Sequence, residues 1–139
     1  MASRGDARPW LRRALLIGAG YAIVGVLFGT FGSSFVSSRS WRLAAWMICG
    51  AMYAAHIGYD RFRLGASPPA TALHAAVAAG AGGFGLAVAA AVHSLLSAAP
   101  DRRLRLFTLA LVVWPIVTGV PAYLVALAAS AVLAPMKRR

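Results

Sequence analysis

The stretch HAAVAAGAGGFGLAVAAAVHSLL, residues 74–96, decides how the chain must be read. It runs for 23 residues without an Asp, Glu, Lys or Arg, and about 20 apolar helical residues suffice to cross the hydrocarbon core of a bilayer. Composition points the same way. Only 12% of the 139 residues are charged, about half the share of an ordinary soluble domain. Glu, Asn and Gln do not occur, and the acids are Asp6, Asp60 and Asp101. With a mean hydropathy of +0.73, too little polar surface exists to clothe a water-soluble globule. Acyl chains must cover it instead.

Working outward, four apolar segments are long enough to cross: residues 14–36, 41–59, 71–96 and 106–133. SSRS separates the first two, DRFRLGASPPA the second and third, and SAAPDRR the third and fourth. Pro68 and Pro69 forbid one continuous helix through the middle connection. Short connections make sequence neighbours spatial neighbours. The expected fold is therefore all-α: a four-helix transmembrane bundle of up-down topology, filling residues 1–139 as one integral membrane domain. The N-terminal RGDARPWLRRALLIGAG has the basic-then-apolar order of a signal peptide. Its apolar stretch is too long for a usual signal core and no A-x-A site follows, so it is read as an uncleaved first span.

Fourteen Lys and Arg residues give a net charge of +11. In a soluble chain that would suggest nucleic acid, but here the basic residues cluster between apolar runs, which suits anionic lipid headgroups and no nucleic acid. With the N-terminus cytoplasmic, that side carries Arg4, Arg8, Arg12, Arg13, Arg61, Arg63, Lys137, Arg138 and Arg139, and the other side Arg39, Arg42, Arg102, Arg103 and Arg105. The excess predicts both termini in the cytoplasm. Trp10, Trp41, Tyr59 and Phe62 fall near span ends, where amphipathic rings meet the interface. The compact Arg/Ala-rich style suggests the inner membrane of a bacterium.

Small residues pair helices in lipid by letting backbones approach. The first span offers Gly18, Ala22, Gly25 and Gly29, with Gly25 and Gly29 in GxxxG spacing. The third offers two ladders, Ala81–Gly85–Ala89 and Ala79–Gly83–Ala87–Ala91, which predict packing on two sides and a central place in the bundle. Intrachain packing is the favoured use of these stripes; a homo-oligomer or a membrane protein partner is the alternative. In the fourth span Pro115 and Pro121, with Thr118 and Gly119 between them, are expected to kink the helix so that it fits its neighbours, or else to line a path for a solute.

One polar constellation stands out. On a helix advancing 100° per residue, Cys49, Tyr53, His56 and Asp60 lie within about 60° of arc, with Arg63 close by. Asp60 is expected to pair with Arg63 or His56, and Tyr53 and His56 to bond toward the third span. His56 closes the second span and His74 opens the third, so antiparallel helices would bring the two imidazoles to one depth. Paired imidazoles suit haem iron or another transition metal, with Met47, Cys49 and Met52 as soft additional ligands. His93 lies about 28 Å beyond His74 along a helix and cannot join them. The simpler account places these polar residues at a span end, meeting headgroups and water.

Several classes are excluded. Cys49 is the single cysteine, so no intrachain disulfide or thiol pair exists. No carboxylate pair, Ser-His-Asp triad, phosphate loop or HExxH occurs. The size resembles that of small multidrug transporters, but those rely on an acidic residue within the membrane, and no Asp falls inside an expected span. The sequence thus predicts a non-catalytic membrane protein without cofactor, acting through helix contacts or as a subunit. A small transporter or channel and a His56/His74 haem or metal carrier are the alternatives.

Overall fold

The computed structural model describes residues 7–34, 38–96 and 104–133, all of them in helices except a short turn. α1 spans Ala7–Ser34, α2 Ser38–Gly58, α3 Pro68–Leu96 and α4 Leu104–Leu133, and a π turn, Tyr59–Arg63, extends α2. The connection 97–103 and both chain ends, including Arg4, Asp6, Asp101, Arg102, Arg103 and Lys137–Arg139, lie outside the described residues. α1, α3 and α4 are long and apolar enough to cross a membrane. α2, which carries Arg39 and Arg42, is not among them. Its first turn contains Ser38, Arg39 and Ser40; these polar residues continue the helix rather than forming the expected SSRS linker.

α3 forms the centre. On one side it meets α1: a Cβ placed on Gly18 would lie 2.7 Å from both Ala78 O and Ala81 Cβ, and one placed on Gly85 would lie 2.7 Å from Ala22 Cβ. Gly25 faces Leu86. Residue numbers therefore rise together along α1 and α3. On the other side, Gly83 abuts Trp114 and Thr118, Gly80 faces the Pro115 carbonyl, and Gly119 faces Ala76 and Gly80. Here numbering runs in opposite senses. The two ladders of α3 serve different neighbours, and absent side chains at the crossings let backbones approach closely. Gly29, by contrast, has nothing within 4 Å, so among the described residues only the first glycine of the GxxxG pair makes a close contact.

α4 remains helical through Pro115 and Pro121. Thr118 lies between them and donates its hydroxyl to Trp114 O at 2.8 Å, with Ala79 O of α3 3.2 Å away. α2 lies mainly along α1, running the other way. Phe28 and Trp41 rings approach at 5.5 Å, Gly20 faces Met52, and Arg13 sits 5.9 Å over the Tyr59 ring. The outer side of α2 is apolar and open: Trp46 is 78% and Met47 76% exposed.

The turn from α2 into α3 follows from local chemistry. Leu64 N–H bonds to Tyr59 O at 3.2 Å, the i→i−5 bond of a π turn. Gly65 then adopts φ 64°, a left-handed conformation with little cost only for glycine. This reversal lets Ala66 N–H reach Asp60 O at 3.0 Å. Pro68 and Pro69 open α3, in the first turn where a missing N–H removes no helical bond.

Candidate functional site: a buried carboxylate between two imidazoles

The π turn sets the site. A π turn fits an extra residue into the helix, and here two successive residues, Asp60 and Arg61, are both buried, at 3% and 6% exposure. Asp60 Oδ2 is 2.6 Å from Nδ1 of His74, which rises from the second turn of α3. The same oxygen is 3.8 Å from Nε2 of His56, one turn back on α2. The first contact is a short, charge-assisted type of hydrogen bond. The second is too long for a direct bond, yet close enough for charge on either ring to act on the carboxylate.

Other elements close the site. The Trp10 indole of α1 stacks on His74 with centroids 4.6 Å apart and planes 16° from parallel. Arg61 donates Nη1–H to Ala66 O across the turn. Beneath lies an apolar cluster of Ile57, Ala72, Ala75 and Ala126, with Tyr53 and Tyr123 against it. Tyr53 donates its hydroxyl to Ala122 O of α4. A buried carboxylate is costly unless it is paired, and His74 supplies that partner.

The arrangement differs from the sequence expectation in particular ways. Asp60 pairs across to His74 rather than with Arg63, which is exposed. Tyr53 bonds to α4, not to α3. Cys49 is partly buried on the same helix. His56 and His74 do meet, but through Asp60, and no group of three or more His, Cys, Asp or Glu among the described residues is arranged to hold a metal ion. His93 lies near the far end of α3. Trp10 and Arg61 belong to the site but were not singled out for it. Trp10 could be found only by knowing that α1 and α3 run in one direction, and Arg61 only by knowing that the helix widens.

Several buried polar atoms have no partner: His56 Nδ1, Arg61 Nε, Thr71 Oγ1, Ser130 Oγ and Tyr21 Oη. All but Tyr21 come from the segments that meet at this end of the bundle: the close of α2 and its π turn, the start of α3 and the end of α4. Chemically, the site can retain a proton between carboxylate and imidazole and can tie the end of α2 to α3. The chain matches no known protein family, no curated protein and no solved structure.

Proposed function

We propose that this is a small, non-catalytic integral membrane protein in which all four helices cross the bilayer, up and down in turn. Its activity would then reside in helix contacts, alone or as a subunit of a membrane assembly. One observation carries the reading: at most 28% of the residues in the apolar window of α1, α3 or α4 are buried inside the protein. The remaining apolar surface requires lipid around it. α2 joins the crossing set because its 21 residues extend about 32 Å at 1.5 Å per residue and because it lies alongside α1 over most of that length. The distribution of Lys and Arg supports cytoplasmic termini and contact with anionic headgroups, and the compact Arg/Ala-rich style supports residence in a bacterial inner membrane.

The test is topological. In a Cys49→Ala background, a cysteine at Ser67 should react with an impermeant maleimide only from the cytoplasmic face of sealed vesicles. Labelling of Ser67→Cys from the opposite face would overturn the orientation. Release of the protein by alkaline carbonate without detergent would overturn membrane integration itself.

A second reading has specific support. Asp60, expected at a span exit, is buried among helices, which supplies the acidic residue whose apparent lack argued against transport. An open apolar groove of about 660 Å³ beside α3, lined in part by Ala22, Gly80, Phe84 and Pro115 of the proline-bearing helix, supports this reading. Reconstituted vesicles that move no ion or solute under an imposed proton gradient would remove this reading.

A further inference from the structure

We infer that Asp60, His74 and His56 form a proton-binding site, with the exchangeable proton held between Asp60 Oδ2 and His74 Nδ1 and His56 as the neighbouring acceptor. The inference deepens the membrane-protein reading above and rests on it for the apolar setting of the site. Three features carry it. Asp60 and His74 stand at 2.6 Å, so one hydrogen must lie between them, whichever of the two holds it. His56 Nε2 is 3.8 Å from the same oxygen, near enough to receive the proton after a small rotation. His56 Nδ1 is buried and has no partner, so no hydrogen bond of its own fixes which nitrogen carries hydrogen.

The step balances simply. In the loaded state an imidazolium Nδ1–H donates to the carboxylate. On release a water molecule accepts the proton, the electron pair of the N–H bond stays on the ring, the 2.6 Å contact opens because two acceptors would otherwise face each other, and the net charge of the site falls by one. The surroundings are otherwise cationic. α1 contributes Arg12 and Arg13, the latter over Tyr59. The π turn contributes Tyr59, Arg61 and Arg63, with Arg61 buried. The described side chains of α4 carry no charge, and Tyr123 is the titratable group it packs toward this end. Trp10, stacked on His74, covers one face of the ring. Because the contact joins the end of α2 to α3, occupancy of the site governs how firmly α2 is held.

The experiment uses the full chain in lipid nanodiscs with ¹⁵N-labelled histidine. His93, at the far end of α3, is the internal reference. The expected result is a low-field N–H signal on His74 Nδ1, slow to exchange with water, and ring signals of His56 and His74 that move together as pH is varied. Asp60→Asn should abolish the low-field signal and uncouple the two rings while leaving His93 unchanged. If the wild-type protein shows no protected His74 N–H, or if His56 and His74 respond independently of each other, the inference is overturned whether or not the variant folds. These outcomes are separate from the topological test. A coupled pair in a protein with a different number of crossings would sink the four-span reading alone, and uncoupled rings in a four-span protein would sink the proton site alone.

Discussion

Gly18→Ala should loosen the α1–α3 seam by an amount that can be worked from the crossing. The new Cβ would lie 2.7 Å from Ala78 O, 2.7 Å from Ala81 Cβ and 3.2 Å from Gly82 N. The first and last are backbone atoms and the second is a methyl without rotamers, so no flexible side chain can move aside. Carbon atoms pack at about 3.5–4.0 Å, so the helices must part locally by roughly 1 Å. A gap of that size forfeits a quarter to a half of each dispersion contact it opens. Overpacking of this kind costs about 1–3 kcal/mol, or about 5- to 150-fold in the folded-to-unfolded ratio. Gly29 supplies the control, since nothing lies within 4 Å of it. Gly29→Ala should be neutral or stabilise by up to about 1 kcal/mol through helix propensity. The assay is thermal or denaturant unfolding in one mild detergent, followed by helical circular dichroism and by the monodisperse fraction on gel filtration. Equal stability of the two variants would refute the claim that α1 and α3 touch through Gly18.

Three other outcomes follow from the same contacts. His74→Ala strands the buried Asp60 carboxylate and removes the Trp10 stack, so it should destabilise by about 3–5 kcal/mol; the same detergent assay checks it. Thr118→Val keeps the shape against Gly83 but loses the hydroxyl bond to Ala79 O of α3, along with the one to Trp114 O within α4, and should cost about 0.6 kcal/mol, the usual size for a side-chain hydrogen bond between membrane helices. Against a haem or metal carrier, purified protein should show no Soret band, and incubation with a chelator should leave its unfolding temperature unchanged.

Much of the architecture could be read from residue order because lipid imposes a simple rule. Uninterrupted apolar stretches such as 71–96 and 106–133 emerge as α3 and α4, with Pro68 and Pro69 marking the start of α3. The spacing of small residues also carries direction, as Ala81 and Gly85 meet α1 while Gly83 meets α4. The second apolar segment was harder. Arg39 lies in its first turn rather than in a linker and Arg42 follows in the next, so length and apolarity alone do not qualify α2 as a span. The site was half legible. The convergence of His56 and His74 follows from antiparallel neighbours, and a regular 100° step already sets Asp60 on the face of His56, but the direct bond from Asp60 to His74 depends on how the turn brings α3 against that face. Tyr53 was assigned to the wrong partner because helical periodicity shows which residues share a face and not which helix lies opposite it.

The π turn has a further consequence for how the gene can change. Along an ordinary membrane helix a conservative substitution matters through volume or polarity. Between Tyr59 and Arg63, spacing itself is the sensitive quantity. Deleting Tyr59, Phe62 or Arg63 would restore the α-helical phase and swing the connecting loop by about 100°, parting the carboxylate from its imidazole even with every site residue still encoded. Single-codon losses should therefore be tolerated far less here than exchanges of the exposed Phe62 or Arg63, an asymmetry that a deletion scan read by protein yield would reveal.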